Sequence, residues 1–287
     1  MMFDKQSIEL TTAAGQPVKL HLVSTGAVTV KTKFREAKRT GLPAMISFIL
    51  DRKFTEWMPI WVMIVEHPEG VFVIDTGENA NVNDRGYFRS SGIFANWFDT
   101  TQFKFKVSRE EEIDRQLKGL GIASNRIKSV ILTHLHLDHA DGLRHFPQTP
   151  VIVSKTEWLR PFGDLPKLYP SWFKPVLVEL NEKYEPFDRA YYVTQARDIV
   201  LIETPGHTWH HCSVIIQTKE CYVFFGADIC YDQQQLLSNK FSGTNASHKL
   251  AKDTYARVKS FCERQKTVFI PSHEAAAAGR LRQLQFV

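Results

Sequence analysis

The sequence predicts an α+β fold of layered β-sheets flanked by helices. Two observations carry that reading. Nine short runs rich in Val, Ile and Phe are each bounded by turn residues, and they are grouped in blocks with helical patterns between and after them. The chain has 287 residues, 43% hydrophobic and 23% charged, which is enough to bury a large core. No repeat, low-complexity tract or linker-like shift in composition divides it. Residues 1–287 are therefore expected to form a single domain.

Strands are expected at 18–23 (VKLHLV), 61–66 (WVMIVE), 71–75 (VFVID), 128–132, 150–153, 199–203, 213–217, 221–226 and 267–270. The stretch EHPEG at 66–70 reads as a hairpin turn between the second and third of these. A helix is expected over 109–119. Ser108 and Glu111 stand at the capping-box spacing, and Ile113, Leu117 and Leu120 make an apolar stripe. A short helical entry is expected in HADGLRHF (139–146). A longer helix is expected at 248–264, where Leu250, Val258 and Phe261 recur near helical spacing.

The formal net charge is +5 and the isoelectric point is near 8.9. Lys and Arg are spread along the chain, with KTKFREAKR (31–39) the one dense cluster. That pattern describes a solvated surface and makes no case for nucleic acid or anionic lipid. Four cysteines, at 212, 221, 230 and 262, form no Cys-x-x-Cys pair. They suit buried thiols in a reducing compartment. The first residues show no basic region followed by an apolar run, and no stretch approaches the ~20 apolar residues that span a bilayer. The expectation is a cytoplasmic protein without membrane insertion.

The chemistry concentrates in THLHLDHADG (133–142). The β-branched run SVILT (129–133) delivers it from the end of a buried strand. In extended backbone, residues i and i+2 share a side. His134 and His136 then reach one point, while Leu135 and Leu137 face the protein. The chain must turn after Leu137, and the turn carries Asp138 and His139 toward a second point. Imidazole with carboxylate suits Zn²⁺ or another first-row ion. A lone histidine is more often an ordinary polar group, but four such side chains at one strand end are costly without a bound ion. Three further segments share one layout of apolar run, turn, then ligand type: IVLIETPGHTWHH (199–211) with His207, YVFFGADICY (222–231) with Asp228, and TVFIPSHE (267–274) with His273. His145, His210, His211 and His248 read as surface or supporting groups, and His21 and His67 as structural ones.

These motifs, from VFVIDTG (71–77) through HLHLDHADG, TPGHT, GADICY and PSHE, resemble the metallo-β-lactamase superfamily over nearly the whole chain. The resemblance implies a four-layer αβ/βα sandwich with a dinuclear metal site at the sheet edges. It implies two Zn²⁺ per chain, other divalent transition metals also fitting. His134, His136 and His207 would hold one ion, Asp138, His139 and His273 the other, and Asp228 would bridge them. Asp75 would support the histidine loop. Position 136 is His, where the diiron flavoprotein relatives carry a carboxylate, which favours hydrolysis over oxygen reduction. The cysteine ligand of many true β-lactamases is absent at Asp228, which argues against antibiotic hydrolysis.

Tyr231, three residues after Asp228, is similar to the site tyrosine of the N-acyl-homoserine lactonases. The implied activity is opening of the lactone ring of N-acyl-homoserine lactones, a quorum-quenching reaction. A hydroxide between the ions would attack the carbonyl, zinc and Tyr231 would stabilise the oxyanion, and Asp138 would carry the proton. A phosphotriesterase, arylesterase or thioesterase of the same fold satisfies most of these observations, and a non-catalytic metal-binding protein is a weaker alternative. The partner expected is a small-molecule lactone with an acyl chain. Two aromatic-rich segments bear on it: 41–61 with Met45, Phe48, Ile49, Trp57, Met58 and Trp61, and 85–98 with Tyr87, Phe88, Phe94, Trp97 and Phe98. They are assigned to core, to a homodimer contact and, for a minority, to the wall of an acyl pocket.

Overall fold

The computed structural model describes residues 3–37 and 42–287. Lys38 and Arg39 of the basic run, Gly41 and the Met45 side chain lie outside the described residues. One sheet contains β1 (Gln6–Thr11), β2 (Pro17–Val30), β3 (Met58–His67), β4 (Gly70–Ile74), β5 (Phe103–Lys106), β6 (Ile127–Ile131), β7 (Val151–Ser154) and β8 (Val176–Val178). Its order is β1-β2-β3-β4-β6-β7-β8, with β5 on β2. The second sheet contains β9 (Glu182–Tyr184), β10 (Phe187–Tyr192), β11 (Ile199–Glu203), β12 (Cys212–Gln217), β13 (Tyr222–Ala227) and β14 (Thr267–Pro271), in the order β14-β13-β12-β11-β10-β9.

Alternation along the strands builds the layers. In β3, Trp61, Met63 and Val65 face the second sheet, where they meet Leu201, Val214, Phe225 and Ile270. Val62 and Ile64 point the other way, onto Ile113, Leu117, Leu135 and Leu143. The outer face of the second sheet carries Ile202, Ile215, Phe224 and Phe269, covered by Tyr255, Val258 and Phe261 of the helix His248–Arg264. Helix, sheet, sheet and helix follow one another, and the αβ/βα sandwich is observed.

Strand direction places the loops. β4 and β6 run parallel, with Ile74 paired to Ile131. β11 and β12 are antiparallel, as are β12 and β13, so β11 and β13 run the same way; β14 is parallel to β13. The C-terminal ends of β11, β13 and β14 therefore share one edge, and those of β4 and β6 share one edge of the other sheet. Main-chain bonds join the two edges: Cys212 N–H donates to Thr133 O at 2.9 Å and Trp61 N–H to Ser272 O at 3.0 Å.

All nine expected strands are present. Five more, β1, β5, β8, β9 and β10, were missed because they are short, peripheral or polar, as in FKFK and FDRAYY. β2 runs seven residues past the expected end at 23. Ser-Thr-Gly reads as a stop, but the structure absorbs it as an irregularity between Ser24 and Ala27, with Gly26 at φ +132°. The helix expected over 109–119 is split. The Ser108/Glu111 capping box closes one 3-10 turn, and the helix proper is Ile113–Gly119. Glu112 breaks the run because its carboxylate is drawn to the Ala80 N–H at 3.0 Å and to His145 at 2.8 Å. Among the described residues no helix is long and apolar enough to cross a membrane.

The aromatic segments fall on both sides of the surface. Phe48, Trp61, Met58 and Phe88 are core. Phe94, 73% exposed, and Trp97 stand on the outer side of the helix Ile93–Gln102. On the same helix, Asp99 is pushed up to about 7 by burial, and its Oδ2 has no hydrogen-bond partner. A carboxyl raised in the fold costs no stability below the unfolded value, and the cost grows as pH rises through the folded one. Asp99→Asn should therefore match the wild-type melting temperature at pH 4 and exceed it at pH 8. An equal difference at both pH values would show that the carboxyl's charge is not what matters there.

Candidate metal centre

The site is assembled from loops at the shared strand edges. β6 ends at Ile131, and Thr133 anchors the histidine loop beyond it. Its N–H donates to Asp75 Oδ1 at 2.8 Å, and its hydroxyl donates to the same carboxylate. That hydroxyl has one proton and spends it on Asp75, so at 3.0 Å it accepts the Nδ1–H of His134. The His134 lone pair is then on Nε2, turned into the site. His136 caps the helix Leu137–Ala140 with extended backbone, and that turn throws Asp138 and His139 onto a neighbouring point. Leu135 and Leu137 are buried, as the alternation requires.

Two donor sets result. His134 Nε2 lies 3.1 Å from His136 Nδ1, His207 Nε2 lies 2.9 Å from the same Nδ1, and Asp228 Oδ2 lies 3.4 Å from His207 Nε2. In the second set, Asp138 Oδ2 is 3.3 Å from His273 Nε2, and Asp138 Oδ1 is 3.9 Å from His139 Nε2. Asp228 Oδ1 completes it, 3.2 Å from His139 Nε2 and 3.3 Å from His273 Nε2. One carboxylate thus turns a different oxygen to each set. All seven residues singled out in the sequence as ligand types converge here.

The donor geometry fits metal ions. Four nitrogen or oxygen atoms held tetrahedrally by one zinc stand roughly 3.3 Å apart, from bond lengths of about 2.0–2.1 Å. His139 Nε2 and Asp228 Oδ1 are buried, face each other and have no hydrogen-bond partner. Converging imidazole lone pairs repel unless a cation lies between them. His139 Nδ1 is held by Asp75 Oδ2 at 2.7 Å and His273 Nδ1 by the Pro59 carbonyl at 2.9 Å, which leaves both Nε2 atoms facing inward.

Electrostatics separate the sets. Burial, followed by neighbouring imidazoles, holds His134 and His207 well below the ordinary histidine range. Burial also lowers His136. Burial opposes charge on His139 and His273 too, but Asp228 and other carboxylates overcome it. His139 is raised well above the ordinary range and His273 is raised to about 10. Asp228, despite burial, is held well below the carboxylate range by His273 and His139. Three neutral imidazoles and a carboxylate therefore stand beside a set whose positive charge comes from protons that a metal ion would displace.

Tyr231 is buried, with its ring centroid 5.6 Å from that of His273. Burial, then Asp228 and Asp138, push its phenol well above the ordinary value, so it keeps its proton. It packs in one apolar cluster with Phe34, Phe48 and Met58. His211 proves to be a fully buried supporting group. It accepts the Asp228 N–H at Nε2, 3.2 Å away, and contacts Thr204 Oγ1. His210 pairs with Glu203, His145 with Glu112, and His248 contacts the Ser242 carbonyl, all away from the donor sets. His21 and His67 pair with Glu66 and Asp198. Sequence reasoning missed Thr133 and also Glu157. Glu157 is pushed up to about 7 by burial, and its Oε2 accepts from the Thr208 hydroxyl at 2.8 Å. Thr133 opens the histidine motif but is not a ligand type, and Glu157 stands in no motif.

The family model of the metallo-beta-lactamase superfamily matches residues 55–273. An N-acyl homoserine lactonase of Bacillus sp is 27% identical over 219 residues, covering 76% of this chain and 82% of that protein. The N-acyl homoserine lactonase AiiA of Bacillus thuringiensis subsp. kurstaki is 28% identical over 220 residues, with the same coverage of each chain. Among solved structures, an N-acyl homoserine lactone hydrolase with N-hexanoyl-L-homoserine at its catalytic metal centre superposes with a TM-score of 0.71. It is 21% identical, over 93% of this chain and 94% of that one. AidC, a dizinc quorum-quenching lactonase, superposes with a TM-score of 0.63 at 16% identity, over 94% and 90% of the two chains.

Proposed function

This chain belongs to the metallo-beta-lactamase superfamily, and we propose that it is a dinuclear metal hydrolase that opens the lactone ring of N-acyl-homoserine lactones. The observation that carries the reading is Asp228, which presents Oδ2 to His134 and His207 in the set that also holds His136, and Oδ1 to His139 and His273, with the Tyr231 phenol near the negative charge of Asp228 and Asp138. The lactonases among its relatives support the choice of substrate.

The donor atoms fit two zinc ions or similar divalent metals, which when bound would supply Lewis acidity to the lactone carbonyl and lower the pKa of water. His134, His136 and His207 would hold one and Asp138, His139 and His273 the other, with Asp228 shared. The chain's own contribution is positional and electrostatic. The Tyr231 phenol keeps its proton and is the donor for the oxyanion that develops as water adds to the acyl carbon. Asp138 stays ionised, because His139 and His273 outweigh its burial, and it is the more open of the site's two carboxylates. Its oxygen would relay a proton toward the alkoxide released when the ring C–O bond breaks. The product is a hydroxy acid that gives up one proton at neutral pH.

That proton makes the test direct. Titration at constant pH should show base uptake on lactones of several acyl lengths and faster turnover of these than of a paraoxon-type ester. Tyr231→Phe should keep both metals and slow lactone opening. Loss of one oxyanion donor typically costs ~10²–10³ in kcat, and a smaller fall is expected where metal ions share the load. A protein with two bound metals that is inactive on lactones, or faster on the phosphotriester, would overturn the reading. Unchanged kcat and KM in Tyr231→Phe would make that residue a packing group.

A further inference from the structure

The segment after β7 passes over the first donor set and is tied to it at three places. At the helix Lys155–Leu159, Glu157 Oε2 accepts the hydroxyl proton of Thr208, next to His207, at 2.8 Å. Further on, the Tyr169 hydroxyl donates to the Leu135 carbonyl at 3.0 Å. Between these, the Phe162 carbonyl oxygen stands 2.8 Å from His136 Nε2.

A carbonyl can only accept, so this contact places a proton on His136 Nε2. Neutral imidazole carries one N–H, and the lone pair is then on Nδ1. That is the atom facing His134 Nε2 at 3.1 Å and His207 Nε2 at 2.9 Å. His134, His139 and His273 are arranged oppositely, with Nδ1 bonded behind them and Nε2 facing inward. His136 therefore needs a partner on its far nitrogen, and the loop supplies one.

We propose that the Phe162 carbonyl is a positioning group that fixes His136 as an Nδ1 ligand, and that glycine at 163 is what allows the carbonyl to approach. The inference rests on the metal-centre reading above. Gly163 has φ +77°, and a Cβ built there would fall 2.8 Å from His136 Nε2. That is closer than real side chains come, so any larger residue pushes the ring or the carbonyl away and strains the backbone as well. Once the carbonyl is displaced, nothing holds the proton on Nε2, and the tautomer with Nδ1 protonated has no lone pair to offer the set. The support is main-chain, so the Phe162 side chain is not required for it.

The test compares Gly163→Ala with Phe162→Ala in zinc-loaded protein. Zinc affinity is read by competition with a chromophoric chelator, and the His136 tautomer by NMR of protein labelled with ¹⁵N-histidine. Groups that orient a metal ligand typically contribute 10–100-fold to affinity. Gly163→Ala should therefore weaken one of two zinc ions by about that factor and abolish the Nε2–H signal, while Phe162→Ala keeps both. Wild-type affinity and an unchanged signal in Gly163→Ala would overturn the proposal. Equal losses in the two variants would also overturn it, because loop packing would then be responsible. Where Gly163→Ala does not fold, the wild-type spectrum decides, and a proton on His136 Nδ1 sinks the idea. If the expected zinc and NMR results come with no lactone hydrolysis, the substrate reading falls and this one stands.

Discussion

Asp228→Ala is expected to leave the protein with less than one metal equivalent and to reduce lactone hydrolysis by more than about 10³-fold, since one electrostatic partner is typically worth ~10²–10³ and this residue serves both sets. Oδ2 belongs to the His134–His136–His207 set and Oδ1 to the Asp138–His139–His273 set. Deletion removes a ligand from each and also removes the charge that offsets the buried His139 and His273. Asp228→Asn is the informative companion. It keeps one carbonyl oxygen and replaces the other by an amide that cannot ligate, so one ion should be retained and activity still lost. Metal analysis of both purified variants, beside a thermal melt, checks the pair. Two equivalents bound in Asp228→Ala would mean that the carboxylate bridges nothing.

The legible part of the sequence is the part that side-chain type can encode. His134, His136, Asp138 and His139 were readable because two periodicities meet there, a strand that sends i and i+2 to one side and then a helical turn that opens a second point. His207, Asp228 and His273 were readable because parallel strands ending in turns deliver their next residues to one edge. The supports behind them were not. Thr133 acts through an N–H and a hydroxyl, and Phe162 through a carbonyl that any residue carries. Phe48 and Phe94 are alike in type, yet one is core and the other exposed, because the two helices that carry them were not recognised and their faces could not be assigned. Strands failed where polar residues such as Glu182–Tyr184 pair at a sheet edge and need no apolar run.

Asp75→Ala is expected to lower stability by about 3–5 kcal/mol, the usual result of removing one member of a buried charged pair, and to weaken both metal ions. Asp75 is fully buried and stands at φ +61°, held by its own N–H on the Ile131 carbonyl at 2.8 Å. Its carboxylate sets the tautomer of two of the histidines. It takes the His139 Nδ1–H directly, which frees Nε2 for the second set. It also takes the Thr133 hydroxyl proton, which obliges that oxygen to accept from His134 Nδ1 and so frees Nε2 for the first set. Alanine leaves the Thr133 N–H and His139 Nδ1 without partners in a dry interior, and it also occupies a left-handed backbone that costs roughly 1–2 kcal/mol for an ordinary residue. Asp75→Asn separates fold from chemistry. Asparagine tolerates that backbone and has nearly the same shape, but its amide group donates where the carboxylate accepted. Turned toward His139, it would drive the proton to Nε2, where it blocks a ligand; turned toward Thr133, it would release the hydroxyl and with it the His134 tautomer. The asparagine variant restores backbone tolerance and shape but not the charge, so it should recover part of the alanine variant's loss in melting temperature yet bind zinc about 10–100-fold more weakly at one set. Melting temperature and chelator competition on the two variants read these effects separately. If Asp75→Ala melts like wild type and keeps both ions at full affinity, the histidine loop is held by its main-chain bonds and Asp75 positions nothing.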